Sequence, residues 1–403
     1  MDMGLFITVL FIIAAIMRVD FFFYILYVFF AVYLLSRFWV RRALMQVRVE
    51  RRLNTHAFWG ERVSVHLEVS NNGLLPVPWL QLHESLPQPL AFPQVRSRAL
   101  ALWPHEKAIF TYELDCRKRG YYAIGPLRLS SGDLLGAGGR AFAEAGVSHL
   151  TVYPRLLPLS DLGIPSRSPF GAIKRSGAIH RDPARVAGVR DYRPGDTIRH
   201  INWKASAAHN KLQTKVFDPV ISLDTAVFLD LEREHYEPAH VGISTEEAIS
   251  VAASLVTQLA RQRQPFSLAS NGKDPLAENG GRGPVLPMRS GQAHLMTVLE
   301  ALGRIENQAG EPLSSLLQRE ALNLPWGCNV LIVSGNGDDL LGYTLRLQRS
   351  GFNVVIVLAD YYSDLRRRGS ELEQAGATVY RLRQVESLAK ASPLRALARR
   401  VAV

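Results

Sequence analysis

Apolar positions along this chain follow three successive patterns. At the N-terminus, Gly4–Met17 (GLFITVLFIIAAIM) and Phe21–Ser36 (FFFYILYVFFAVYLLS) are two apolar blocks separated only by Arg18, Val19 and Asp20. Neither block carries the polar stripe that a soluble surface helix turns to water. Together they exceed one upright crossing of a ~30 Å hydrocarbon core, and each alone, at ~1.5 Å per residue, falls somewhat short of it. The pattern predicts a transmembrane helical hairpin over 1–43, with Arg18 and Asp20 at its turn and membrane lipid contacted through 4–36. A signal peptide is not the reading, because no basic region precedes the first block and no small-x-small site follows it. Arg37, Arg41, Arg42, Arg48, Arg51 and Arg52 crowd the exit of the second block. By the positive-inside rule, everything after residue 40 is expected in the cytoplasm of a bacterial cell, beneath its membrane.

From 44 to 156 the period changes to two. ERVSVHLEVSNNG alternates and stops at an Asn-Asn-Gly turn, and WLQLHESLP, KAIFTYELDCRKRG, YYAIGPLRLSSGD and VSHLTVYP behave likewise. Short runs spaced near ten residues, ended by Gly, Pro and Asn, predict an antiparallel β-sandwich of immunoglobulin-like type. Residues 157–222 then form a connector whose first half is rich in Gly, Pro, Ser and Arg and has no strong period.

From 223 to 403 apolar strands alternate with helical patterns. LDTAVFLD, PFSLAS, CNVLIVSG, NVVIVLAD and ATVYRL read as strands. Helical patterns fall at Ala293–Ile305, Asp338–Arg349, Ser363–Gln374 and Val385–Arg399. STEEAISVAASLVTQLARQ is a further helix, with Ser244 as its cap and Glu247 closing a capping box. This alternation predicts a doubly wound α/β domain with a parallel sheet.

Composition adds a direction. The formal charge is +11 over 403 residues, with 47% hydrophobic and 21% charged residues, so the chain is globular and favours acidic partners. Its two cysteines, Cys116 and Cys328, make neither a disulfide framework nor a cysteine metal site.

Few segments offer chemistry. GNGDDLLG (Gly335–Gly342) opens a helix after a strand but lacks the Gly-Lys-Ser/Thr of a phosphate loop and the Gly-x-Gly-x-x-Gly of a dinucleotide fold, so it reads as a plain turn. GAGGR (Gly136–Arg140) reads as a hairpin turn. No Gly-x-Ser-x-Gly or His-Glu-x-x-His occurs. The first α/β strand ends in FLDLEREH, where Asp230 and Glu232 could offer oxygens to a hard cation while Arg233 competes. A strand end with solvated charges is the simpler reading, and no metal or cofactor is assigned.

The densest cluster is VRDYRPGDTIRHINWKASAAHNKLQTKVFD, Val189–Asp218. Pro194 and Gly195 take the two central places of a type II turn, and Asp196 or Thr197 can cap a following helix. Ile198, Ile201, Ala205 and Ala208 recur at helical spacing, Trp203 lies off that stripe, and Asn210 ends the helix. Three roles remain open for the cations. They pair with Asp191 and Asp196 while Trp203 packs a joint; they dock an acidic partner; or, with Tyr192 and Trp203 stacking, the 185–215 segment binds nucleic acid, which would need a recognition module that is not seen.

The run RDYRPGDTIRHINWKASA resembles the signature of the DUF58 family, Arg-x-Tyr-x-Pro-Gly-Asp-x-x-Arg-x-Ile-x-Trp-x-x-Ser-Ala. Arg190, Tyr192, Pro194, Gly195, Asp196, Arg199, Ile201, Trp203, Ser206 and Ala207 fall on it, with Lys204 beside Trp203. CRKRGYYAIGPLRLSSGDLLG, AISVAASL and RSGQAHLMTVLEALGRI extend the resemblance over nearly the whole chain. It implies a membrane-anchored protein with a von Willebrand factor A-like C-terminal domain and no established catalytic activity. It further implies a scaffold acting with a MoxR-type AAA+ ATPase, often alongside a membrane protein with a transglutaminase-like domain. This sequence departs from the pattern twice. Ala208 stands where Arg is usual, and FLDLEREH lacks the metal-site serines of von Willebrand factor A domains, which argues against metal-dependent adhesion. The alternative of another class is a divalent-cation-dependent hydrolase or binding protein using Asp230 and Glu232.

Overall fold

The computed structural model describes residues 8–9, 11–13, 16, 20–90, 97–132, 141–160, 162, 164, 181–219, 224–277, 282–335, 340–360 and 365–382. The chain divides into two compact units, 1–155 with 299–305, and 156–298 with 306–403.

In the first unit a 25-residue helix runs Asp20–Leu44. Its Phe23–Leu44 stretch is long and apolar enough to cross a membrane, with a mean hydropathy of 1.7. Phe21, Tyr24, Tyr27, Leu35 and Phe38 are exposed along it. Its last turns differ. Val40, Ala43 and Leu44 are buried, Ala43 and Leu44 join a core with Leu67, Leu80 and Leu129, and the Trp39 indole donates to Pro76 O at 3.1 Å. The helix thus runs past the expected boundary at 43 and ends inside the β-domain core. The earlier block, Gly4–Met17, lies mostly outside the described residues, and with it the expected hairpin partner.

Period-two runs become strands as their alternation demands. Arg62–Asn71 buries alternate side chains and lies between Val47–Arg52 and Lys107–Asp115 in one antiparallel sheet. A second antiparallel sheet has the order Ser97–Leu102, Val77–Glu84, Leu127–Ser131, Ala141–Ala145. A third joins Ser148–Val152 to Gly120–Ile124 and His56–Ala57. Leu67 and Val69 of the first sheet and Leu80, Leu82, Leu127 and Leu129 of the second share one core. Arg51, counted above among the juxtamembrane cations, is instead buried. It pairs with Glu84 at 2.5 Å and donates to Gly146 O at 2.8 Å. The GAGGR turn falls outside the described residues.

In the second unit one six-stranded sheet has the strands β1 (Thr225–Leu229), β2 (Phe266–Ser270), β3 (Val285–Arg289), β4 (Asn329–Ser334), β5 (Asn353–Leu358) and β6 (Thr378–Arg381). Their order is β3-β2-β1-β4-β5-β6, parallel except for the antiparallel edge strand β3. β1 and β4 are buried at every position, the continuous apolar reading of a parallel strand covered on both faces. Its helices are Val241–Arg261, Leu313–Ala321, Leu340–Arg349 and Leu365–Gln374, with the first half of Gln292–Arg304 up to residue 298.

The long helix starts at Val241 after His240, so Ser244 and Glu247 lie within it and form no capping box. Strand β3 and the helix Leu313–Ala321 were not expected. The first is short, bears a proline and is half exposed; the second offers only Leu313, Leu316 and Leu317 as its buried stripe. Half of the Gly335–Gly342 turn and the whole Val385–Arg399 pattern lie outside the described residues.

Also in this unit, the later part of the expected connector is an antiparallel pair, Arg181–Asp191 with Gln213–Pro219. Between its strands stand a 3-10 turn, Ile198–His200, and a helix, Trp203–His209.

Candidate functional site

Among the described residues, two charged places hold the residues singled out by the sequence: the arm formed by that hairpin, and the carboxyl edge of the six-stranded sheet.

In the arm, Gly195 has φ 103° and Asp196 N donates to Arg193 O at 3.0 Å, the closed turn that Pro-Gly favours. Asp196 is the clasp. Its Oδ1 accepts from Arg190 Nη2 at 2.6 Å, and its Oδ2 from Arg193 N at 3.0 Å and Thr214 Oγ1 at 3.4 Å. The Arg190 bond, then the Arg193 N–H, hold the Asp196 carboxyl down at about 2. Asp191 Oδ1 accepts from Gln213 Nε2 at 2.5 Å. The helix is capped by Asn202, whose Oδ1 accepts from Ala205 N at 3.2 Å, and ends at Asn210 in the left-handed conformation, φ 49°. Neither Asp196 nor Thr197 caps it; Thr197 precedes the 3-10 turn without a side-chain bond.

Ser206 ties helix to strand. Its Oγ donates to Asn202 O at 2.8 Å and accepts from Gln213 N at 2.9 Å. Tyr192 N donates to Leu212 O at 2.9 Å, and Asn202 N to Gln213 O at 2.8 Å.

The expected apolar stripe does not form. Ile201 is buried, but Ile198 stands in the 3-10 turn at 69% exposure, because the helix starts only at Trp203. Trp203 itself is 65% exposed, so it packs no joint. The motif residues therefore split into two sets. Arg190, Pro194, Gly195, Asp196, Ile201 and Ser206 build the arm, with Tyr192 half-buried beside them; Arg199, Trp203 and Lys204 are exposed.

At the sheet edge, Asp230 follows β1, Asn271 follows β2, Ser334 ends β4 and Asp360 lies just past β5. This is the edge at which open α/β sheets bind ligands. Asp230 is fully buried. Its Oδ1 accepts from Glu232 N at 3.0 Å and Asn271 Nδ2 at 2.9 Å. Its Oδ2 accepts from Ser334 Oγ at 2.6 Å and lies 2.5 Å from His235 Nδ1.

Glu232 Oε2 accepts from Leu313 N at 3.1 Å and lies 3.9 Å from His235 Nε2. Asp230, Glu232 and His235 place ligand atoms within 4.8 Å of one another. A cation there would have to displace donors that already satisfy Asp230. Asp360 accepts from Glu237 N at 3.0 Å and Ser244 Oγ at 3.2 Å. Burial first, and the Asp360 carboxylate second, push the Glu247 carboxyl up to about 8, and Glu247 Oε2 is buried without a hydrogen-bond partner among the described residues.

Sequence reading found Asp230 and Glu232 but missed His235, Asn271, Ser334 and Asp360. The one signal available was the matching end of two apolar strands, FLD and LAD.

Comparison with known proteins agrees with the arm's signature. The family described as "Protein of unknown function DUF58" matches residues 188–364, from the arm through β5. Over a longer span, the chain is 26% identical across 343 residues to the uncharacterized protein YeaD of Bacillus subtilis (strain 168), covering 83% of this chain and 79% of YeaD.

Among solved structures, the CARDB domain of the PF1109 protein from Pyrococcus furiosus is 15% identical at a TM-score of 0.20, over 26% of this chain and 86% of that one. The alpha-2-macroglobulin of Escherichia coli is 18% identical at 0.23, over 28% of this chain and 18% of that one. At these scores neither likeness extends a conclusion to this chain.

Proposed function

We propose that this chain is a membrane-anchored, non-enzymatic scaffold that serves a MoxR-type AAA+ ATPase in the assembly or maturation of envelope or membrane complexes. In this reading the first unit combines a hairpin anchor with an immunoglobulin-like sandwich, and the second is a von Willebrand factor A-like domain, both soluble parts facing the cytoplasm. The sheet order with its single antiparallel edge strand supports the second assignment, and the apolar helix supports the anchor.

The observation that carries the reading is the contrast between the two charged places. Asp230, where a catalytic or metal-binding acid would stand, is closed by four hydrogen-bond contacts, while the arm turns cations and an indole outward. A transglutaminase-like membrane protein is a further expected partner.

The test is co-purification. Arg193→Glu with Arg199→Glu is expected to abolish recovery of the ATPase while the circular dichroism spectrum stays unchanged. Undiminished recovery would remove the docking role. Labelling of a cysteine placed beyond residue 60 tests the topology: reaction in intact cells would put the soluble parts on the wrong side.

The second reading, a divalent cation held by Asp230 and Glu232, draws support from His235 joining them. Titration calorimetry with magnesium, manganese and calcium separates the two, since a heat of binding lost in Glu232→Gln would favour the cation.

A further inference from the structure

The arm engages its acids and leaves its cations over. Asp196 is bonded to Arg190, Arg193 N and Thr214, and Asp191 to Gln213. Arg193, Arg199, Lys204 and Lys211 are exposed and form no ion pair among the described residues. Beside them Ile198, Trp203, Leu212 and Val189 are 69%, 65%, 48% and 43% exposed. Isolated exposed leucines are ordinary, but a tryptophan and an isoleucine among unpaired cations are not. Trp and Arg are the residues that dominate binding energy at protein interfaces, where a central apolar anchor is ringed by polar contacts.

We propose that the Val189–Leu212 arm is a docking surface for an acidic protein segment bearing an apolar anchor, which packs on Trp203 and Ile198 while its carboxylates meet Arg193, Arg199 and Lys204. This rests on the scaffold reading above and names the chemistry of its partner. Charge selects the occupant. A second copy of this chain carries the same formal +11 and is repelled at long range. The chain's own 165–180 segment holds Arg167, Lys174 and Arg175 and no acid, so it offers nothing complementary.

An anionic membrane would also meet the cations. A helix lying in a membrane surface, however, buries a continuous apolar face. The seven-residue helix Trp203–His209 exposes one large apolar side chain, with Lys204, Ala207, Ala208 and His209 beside it.

Site-specific photo-crosslinking tests this on the full chain in native membranes. The probe is p-benzoylphenylalanine in place of Ala207, an exposed position outside the proposed anchor. The expected product is an adduct to a protein segment rich in Asp and Glu. Its yield should fall roughly tenfold in Arg199→Glu and in Trp203→Ala, and also when salt rises from about 0.15 M to about 0.5 M.

Lys204→Glu serves as a second charge variant, and thermal melting of each variant confirms that it folds. An adduct to lipid, to nucleic acid or to residues 165–180, no adduct at all, or an acidic-segment adduct indifferent to these variants would each overturn the inference. If ATPase recovery persists while the acidic adduct fails, the docking chemistry falls and the scaffold reading stands. If the adduct maps to an acidic segment of another protein and the ATPase is not recovered, the reverse holds.

Discussion

The arm and the carboxyl edge of the six-stranded sheet are both rich in charge, and they handle it in opposite ways. At the edge, carboxylates face inward and find hydrogen-bond donors. Asp230 is fully buried against Asn271, Ser334, His235 and the Glu232 amide. In the arm, two carboxylates fasten the hairpin and the remaining cations face solvent. A buried polar network fixes a conformation because each lost partner leaves an unsatisfied group in a low dielectric. An exposed cation costs almost nothing to keep and stays available to a partner. The place a sequence reader would search for catalysis holds its acid in a buried knot of hydrogen bonds, while the signature stretch is half bonded into the arm and half exposed.

The largest effect that would break this contrast is at the edge. Asp230→Ala removes the acceptor of a four-membered network and is expected to cost about 3–5 kcal/mol, read as a lower denaturation midpoint. A change below about 1 kcal/mol would show that the edge is not a knot.

Next in size is a pH effect from Glu247, whose carboxyl is pushed up to about 8 by burial and then by Asp360. A raised carboxyl pKa stabilises the fold below the unfolded value, near 4.5, and that stability is lost as pH climbs through about 8. Glu247→Gln should therefore raise the melting temperature at pH 8–9 and leave it nearly unchanged at pH 4. An equal effect at both would deny the burial.

Asp196 has the opposite sign. Its carboxyl, held at about 2 by Arg190 and the Arg193 amide, contributes stability present above the unfolded value of 3.8 and lost as pH falls through about 2. Asp196→Asn is expected to loosen the arm locally. Hydrogen exchange should quicken at the Asn202 and Gln213 amides while the sheet amides stay protected. Protection retained in the arm would mean that Asp196 is not its clasp.

Smallest is Trp203→Ala, expected within about 0.5 kcal/mol of the parent in stability because the indole is mostly exposed. A larger loss would place Trp203 among the builders.

Legibility followed periodicity. The strand Arg62–Asn71 and the buried strands β1, β4 and β5 were readable because alternation and unbroken apolar runs are one-dimensional consequences of facing one or two covered layers. Strand β3 and the helix Leu313–Ala321 escaped because short elements carry too few periods. Caps were misplaced in both helices where they were assigned. Asn202, not Asp196 or Thr197, accepts from the Ala205 amide in the first turn of the arm's helix, and Ser244 serves Asp360 within a helix that starts at Val241. Capping residues compete locally, and the winner is decided by what else in the fold needs the oxygen.

The chain's order of residues alone determined the apolar N-terminal helix, the succession of β-rich and α/β regions, the Pro-Gly turn and the excess of positive charge. Each is a property of neighbours along the chain. Only the tertiary structure decided that Asp230 meets Ser334 across more than a hundred residues, and that Arg51 is a buried partner of Glu84 and not a free juxtamembrane cation. It also decided which side of RDYRPGDTIRHINWKASA holds the arm together and which faces outward. Those are questions of which group loses its water and to what partner, and the answer lies with residues brought close by folding.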